Sequence, residues 1–424
     1  GMGMPYFSGF NVYTEVEASS NQEMRKAMMT GNSRMLQYSS LHHLREILTD
    51  AELKYITGCS REVYEQMLAD FASIPGKDRV FIDDTGFFWY LDKLRHNIPL
   101  EHAAFDRNVK KPSLHAIFMK NLIAQYLHDD SVPHRNHDVK QLPPINQILD
   151  NNITTDEFTK GFFETVVPDP DAIVPCNIDD TYDYMGKIQS PSAQKRIYCE
   201  HKGKNLVKMG ILCNDVGKVI MYTPPSASMD PSAGDGNLLT LQLDYEINGQ
   251  VKNSFDSFLR PQNKRHSILA CMDYGYEVNV GLPQTRGTGL TMRDYFYNPQ
   301  RVGYNPNSRY FSIIRPGGPL LGPDLKPINN PYPAGGRTKL STSEANTNRV
   351  TTLNRFPIEL CNGGSKQNGI VDDRVADTKY FDPIGDWLPG FEYINKREII
   401  WNNVFSLHNR NHPGYARRWD FLPD

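Results

Sequence analysis

The chain contains no run of about eighteen apolar residues, so no membrane-spanning helix is expected. Its six cysteines, at positions 59, 176, 199, 213, 271 and 361, include no CxxC pair. That scatter argues against a disulfide framework and for a reducing compartment. There is no excess of basic residues: 46 Lys and Arg stand against 49 Asp and Glu, a net charge of -3. A protein with that balance has no global field to attract nucleic acid, so any DNA contact must come from local basic surfaces. The opening Gly1-Met2-Gly3-Met4-Pro5 has neither a basic nor an apolar leader region, and no signal peptide is expected. Internal repeats and coiled-coil heptads are also missing.

What is present is 424 residues, 39% of them hydrophobic, enough for two or three domains with a sizeable core. Residues 1–40 are polar and Met-rich and read as a flexible N-terminal arm. Residues 41–130 carry helical spacing. Thr49 and Glu52 form a capping-box pattern, and Ser60 is placed as an N-cap before Tyr64, Met67, Leu68 and Phe71. Asp84–His96 predicts a helix that Pro99 ends, Leu100–Phe105 a short one, and Pro112–Leu127 a third with Pro112 at its first position. This order fits a helix-turn-helix. Lys110, Lys111, Ser113, His115 and Lys120 lie at the start of or along its last helix, where major-groove contacts originate. The alternative is a plain helical bundle with a solvated basic face.

Residues 131–170 read as a linker, and from Ala172 the texture changes to short strands. Strands are expected at Ala172–Ile178, Arg196–Glu200, Leu206–Cys213, Val219–Tyr222 and Ser267–Met272, with a helix at Leu238–Tyr245. Residues 284–345, rich in Gly, Pro, Asn and Arg, read as an insertion with little regular structure. A final helix is expected over 391–409, and residues 411–424 form a C-terminal tail.

Asp179 and Asp180 follow the first strand, Asp273 follows Ser267–Met272, and Glu359 sits near the start of a further helix. Carboxylates so placed are able to converge on one point and offer the hard oxygen ligands that suit Mg²⁺. By spacing alone they read sooner as turn or cap residues, which acids after strands usually are.

The blocks around these carboxylates resemble the PIF/Harbinger superfamily of DDE transposases. Ile178-Asp179-Asp180-Thr181 resembles the family's Asp-Gly-Thr block, with Asp180 in place of Gly. Met272-Asp273-Tyr274-Gly275-Tyr276, followed by Pro283, resembles the second block. Arg355-Phe356-Pro357-Ile358-Glu359, then Asn362-Gly363 and Lys366, resembles the third, Arg-x-x-x-Glu-x-x-aromatic-Gly-x-x-Lys, with Asn362 replacing the aromatic. Arg196–Lys204 with Val207-Lys208, the turn at Ser226–Asp230 and Ser406-Leu407-His408-Asn409 resemble further blocks, over roughly residues 45 to 410.

The resemblance implies an RNase H-like mixed sheet flanked by helices, spanning 171–410 and preceded by an all-α helix-turn-helix domain. It implies a metal-binding catalytic triad of Asp179, Asp273 and Glu359 holding Mg²⁺, with Mn²⁺ as a substitute and two ions in the site. Glu344 is the fallback for the third carboxylate, and Asp180 competes with Asp179. The implied activity is cleavage of transposon ends in double-stranded DNA and joining of the 3′-hydroxyl to target DNA. The implied partners are a Myb-like DNA-binding protein and a second copy of the chain, and the implied location is the nucleus. Lys202 and Lys204 are further candidates for phosphate contact. The rival expectation is a domesticated, non-catalytic DNA- or protein-binding factor. His128, His134 and His137 with Asp129 and Asp130 match no common zinc spacing. Gly287-Thr288-Gly289 and Gly234-Asp235-Gly236 lack the context of a phosphate loop.

Overall fold

The computed structural model describes residues 48–72, 84–106, 110–129, 173–214, 216–229, 244–247, 250–253, 267–271, 311–314, 355–372 and 378–412. In chain order the helices α1 (Asp50–Thr57), α2 (Arg61–Ala72), α3 (Asp84–His96), α4 (Leu100–Asp106) and α5 (Lys111–His128) come first. Strand β1 (Ile173–Tyr184), helix α6 (Pro191–Ile197) and strands β2 (Tyr198–Cys199), β3 (Lys204–Asn214), β4 (Val219–Tyr222) and β5 (Ser226–Ala227) come next. Then come β6 (Asp244–Ile247), β7 (Gln250–Asn253), β8 (Ser267–Cys271) and β9 (Phe311–Ile314). Helix α7 covers residues 355–366, and α8 (Lys396–Asn411) is last. The chain is therefore mixed α/β. It divides into two compact units, one gathering α1–α5 with the stretch from Lys366 and α8, the other the strands, α6 and α7 as far as Ser365.

In the helical unit, local sequence sets the helix ends. Thr49 Oγ1 accepts from Glu52 N at 3.3 Å while Glu52 Oε2 accepts from Thr49 N at 2.8 Å, the expected capping box. Gly58, at φ 76°, closes α1 in the left-handed region. Ser60 Oγ accepts from Val63 N at the head of α2. Phe87 of α3 packs against Tyr64 and Phe71 of α2, ring centroids 5.4 and 5.6 Å apart.

The last helix departs from expectation. It begins at Lys396 rather than Phe391, because Asn395 caps it: Asn395 Oδ1 accepts from Arg397 N at 2.7 Å. It also packs in the helical unit, whereas the expected boundaries put it with the sheet. Its polar residues explain how it does so. Asn403 Nδ2 donates to Tyr90 Oη at 2.8 Å and to Leu122 O at 2.7 Å, and Tyr90 donates to Gln125 Oε1 at 2.6 Å. Gln125 Nε2 donates to Asn403 O at 3.1 Å. These groups are buried and need such partners.

In the second unit the main sheet runs β4-β3-β1-β8-β9. Pairs β4/β3 and β3/β1 are antiparallel, while β1/β8 and β8/β9 are parallel. β2 and β5 also pair with β3, and β6/β7 form a separate hairpin.

Four expectations are corrected by the sheet unit. Strand β1 continues to Tyr184, so Asp179 and Asp180 lie within it rather than after it; β3 pairs along it from Cys176 to Tyr184 and carries it on. Arg196 is helical: Ser190 Oγ accepts from Ala193 N and Pro191 opens α6, leaving only Tyr198–Cys199 as strand. Asp244 and Tyr245 are strand, zipped to Asn253 and Lys252, where a helix is expected. Finally, Phe311–Ile314 inside the expected irregular insertion is a strand of the main sheet, parallel to β8.

Candidate active site

Successive side chains along a strand point to opposite faces, so Asp179 and Asp180 part company on β1. Lys208 Nζ of β3 stands 3.7 Å from Asp180 Oδ2. On the other face, Asp179 Oδ2 faces Arg355 Nη2 of α7 at 3.5 Å, across 176 residues of chain. The same Nη2 lies 3.8 Å from Glu359 Oε1, one helical turn along α7. One guanidinium thus joins Asp179 to Glu359. Asp179 and Arg355 side chains are 20% and 14% exposed, Glu359 59%, so the pair is sheltered at its strand end and open at its helix end. Asp179 Oδ1 also accepts from Asp180 N at 2.8 Å.

Of the two neighbouring aspartates, Asp179 is the one on the side of Arg355 and Glu359. Helix α7 opens at Arg355, ahead of Pro357, which its first turn accommodates because the missing N–H has no partner there. Asp273 and Glu344 lie outside the described residues. Strand β8 ends at Cys271, which pairs with Asn177 in parallel register. Two aspects of the site were not singled out by sequence reasoning. Arg355 enters as a bridge, a role its i, i+4 spacing from Glu359 signals. Asp183, fully buried, shares the Asp179 face of β1, which strand alternation signals.

The other expected contacts scatter. Lys110 is exposed at the start of α5, Ser113 and Lys120 are exposed, and Lys111 pairs with Glu101. That pair holds the Glu101 carboxyl below its ordinary range. His115 stands edge-on to Trp387, centroids 6.0 Å apart. Burial, and then Lys396, Lys379 and Lys111, lower its pKa and disfavour the charged form a phosphate would want. Beyond its first turn α5 buries Leu114, Phe118, Met119, Leu122 and Tyr126, so the predicted contacts left open to a ligand are those of its N-terminal turn and Lys120. In the second unit Lys202 Nζ lies 5.1 Å from the Tyr182 ring centroid and Lys204 Nζ 4.5 Å from that of Tyr184.

Of the zinc candidates, Asp129 is committed elsewhere: its carboxylate accepts from Ser406 Oγ, and from Arg410 Nε at 3.0 Å. His134 and His137 lie outside the described residues. Buried His408 belongs to α8. Among the described residues no group of three His, Cys, Asp or Glu side chains is placed to share a metal ion. The cysteines described, Cys59, Cys199, Cys213 and Cys361, are not joined in disulfides. No helix among the described residues is long and apolar enough to cross a membrane. No protein-family model, curated protein or solved structure matches the chain.

Proposed function

We propose that the chain is a metal-dependent DNA nuclease of the DDE transposase type, with Asp179, Asp273 and Glu359 as its carboxylates. The observation that carries the proposal is the shared guanidinium: two of the three carboxylates, one from a strand and one from a distant helix, meet around a single positive group. The sheet supports it. The order β4-β3-β1-β8-β9, with β1, β8 and β9 parallel and β3 antiparallel to β1, is the arrangement an RNase H-like domain requires. The register adds to it, since Asp273 follows Cys271 at the same interval as Asp179 follows its partner Asn177.

The donor set fits Mg²⁺: hard carboxylate oxygens that already converge on a cation. Asp179 and Glu359, with Asp273, would hold the ion or ions, whose chemistry when bound is to neutralise charge on the phosphate and activate the attacking oxygen. The chain's own part is positional. β1 fixes Asp179 on one face, the Asp180 N–H restrains its carboxylate, and Arg355 keeps Glu359 turned toward it. Rigid placement of this kind is what phosphoryl transfer asks of a protein. The N-terminal turn of α5, in a helix-turn-helix, would contact the duplex. A Myb-like partner, a second copy holding the other DNA end, and a nuclear location complete the proposal.

The test is nicking of supercoiled plasmid in Mg²⁺ or Mn²⁺ by the full chain, beside Asp179→Asn and Asp273→Asn. Metal-dependent nicking lost in both variants is the expected result. Nicking that survives either substitution removes that residue from the site.

A second reading has its own observation. Arg355 already neutralises the two carboxylates, as in a domesticated factor that keeps the fold without the chemistry. Its signature is a wild-type chain that binds DNA yet shows no Mn²⁺ binding.

A further inference from the structure

The chain carries a net negative charge, yet one stretch departs from it sharply. Between residues 187 and 208 stand Lys187, Lys195, Arg196, Lys202, Lys204 and Lys208, with Glu200 the lone acid. The fold gathers Lys202, Lys204 and Lys208 over two neighbouring tyrosines of β1. Helix α6 carries Lys195 and Arg196, the turn before β3 carries Lys202, and β3 itself carries Lys204 and Lys208. Lys187, Lys195, Arg196, Lys202 and Lys204 are exposed.

Three of the lysines are held rather than loose. Lys202 and Lys208 lie over the Tyr182 ring, at 5.1 and 5.5 Å from its centroid, and Lys204 lies over Tyr184 at 4.5 Å. A cation over an aromatic face is attracted by the ring quadrupole. The contact also removes part of the rotamer freedom that an unrestrained lysine would lose on binding a ligand. Tyr182 and Tyr184 alternate with Asp183 on β1, so both rings lie on one face of the strand and set their lysines side by side. Lys208 is drawn back by Asp180, leaving Lys202 and Lys204 as the forward pair.

We propose that this lysine–tyrosine cluster is a binding surface for the phosphate backbone of DNA. It lies on the Asp180 face of β1, opposite the face that meets Arg355, and is a site separate from the carboxylates. Charge complementarity commits it to a polyanion; the choice of DNA rests on the nuclease reading above. Backbone contact of this kind is sequence-independent and releases counterions, so its mark is a salt dependence. Each phosphate engaged contributes about 0.9 to the slope of log affinity against log salt on duplex DNA.

The experiment is fluorescence anisotropy of a labelled mixed-sequence duplex with the full chain over a salt series. EDTA is present throughout, so that neither metal nor cleavage enters. Lys202→Gln with Lys204→Gln is expected to weaken binding at least tenfold at low salt and to make the slope shallower by about 2, one unit per phosphate lost. Lys202→Arg with Lys204→Arg is expected to keep both, which separates lost charge from misfolding. Tyr184→Leu, which removes the ring beneath Lys204, is expected to weaken binding severalfold with little change of slope. An unchanged slope and affinity in the Gln variant overturn the proposal. So does equal or tighter binding to phosphatidylserine vesicles than to DNA, which makes the surface a membrane one. Because no metal is present, this result is independent of plasmid nicking: a chain that does not cleave can still carry the surface, and the reverse.

Discussion

Arg355 Nη2 faces Asp179 Oδ2 at 3.5 Å and Glu359 Oε1 at 3.8 Å, so a single guanidinium serves carboxylates from a strand and a helix. Arg355→Gln leaves the two acids without that charge, one of them largely sheltered. A loss of about 1–3 kcal/mol in unfolding free energy is expected, between the values for exposed and buried pairs. Mn²⁺ is expected to restore more stability to the variant than it adds to the wild type, because an ion then occupies the place of the guanidinium. Thermal melts with and without Mn²⁺ check this. An equal metal shift in both proteins means that Arg355 does not lie where an ion binds.

Arg410 reaches two aspartates, Asp129 through Nε and Asp70 through Nη1, both at 3.0 Å. Burial pulls its pKa down, and Asp129 and Asp70 more than offset this, leaving it raised. The two partners differ in exposure: the Asp129 side chain is fully buried, that of Asp70 37% exposed. Arg410→Met strands a buried carboxylate and is expected to cost about 3–5 kcal/mol. Asp70→Asn is expected to cost no more than about 1 kcal/mol. Urea denaturation of the two variants gives the comparison, and similar losses would show that Asp129 does not depend on Arg410.

Burial pushes the Cys59 thiol up to about 11 and the Cys361 thiol up to about 12, from an ordinary value of 9.0. The folded chain therefore keeps protons that the unfolded chain gives up near pH 9. Their contribution is fully present below pH 9 and is lost as pH rises through 11 for Cys59 and 12 for Cys361. Urea midpoints are expected to fall across that window, and Cys361→Ala to fall less steeply, whatever its offset at neutral pH. Parallel slopes would show that Cys361 does not titrate on unfolding. At pH 8 neither thiol is expected to react with a disulfide reagent until urea is added.

Gly369 N donates to Arg95 O at 2.7 Å, and a Cβ on Gly369 would stand 2.9 Å from that same backbone oxygen. Neither atom is the end of a flexible side chain, so the backbones must separate to admit a methyl group. Gly369→Ala is expected to cost about 1–3 kcal/mol. Hydrogen exchange is expected to show the Gly369 and Ile370 amides losing protection first, as Ile370 N donates to Leu94 O in the same contact. A variant as stable as the wild type would mean that this approach relaxes freely.

Local signals made much of the helical unit legible. Thr49 with Glu52, Ser60, and Pro99 and Pro112 mark helix ends through chemistry confined to a few residues, and α1 to α5 fall where those marks put them. Strands β3, β4 and β8 are legible for a similar reason, as apolar runs bounded by turns. What failed depends on partners distant in sequence. Asp179 and Asp180 look like residues beyond a strand until β3 pairs with them. Phe311–Ile314 is four residues in a Gly- and Pro-rich stretch, and only pairing with β8 makes it a strand. Asp179 and Glu359 were legible as candidate carboxylates, though Asp179 not in its place on the strand. Their shared cation was not, since it is a contact across 176 residues.

Helix α8 completes the helical unit from a distant stretch of sequence, Asn403 standing 278 residues beyond its partner Gln125, and this sets an order of events during synthesis. Helices α1 to α5 leave the ribosome while Asn403, Ser406 and Arg410 are still untranslated, so Tyr90, Gln125 and Asp129 emerge with only part of the hydrogen bonding they have in the folded unit. The nascent helices α1 to α5 must wait until α8 itself has been made. A premature stop anywhere before Lys396 is thus felt first in helices α1 to α5, and a truncated product should be a chaperone client rather than a smaller working protein.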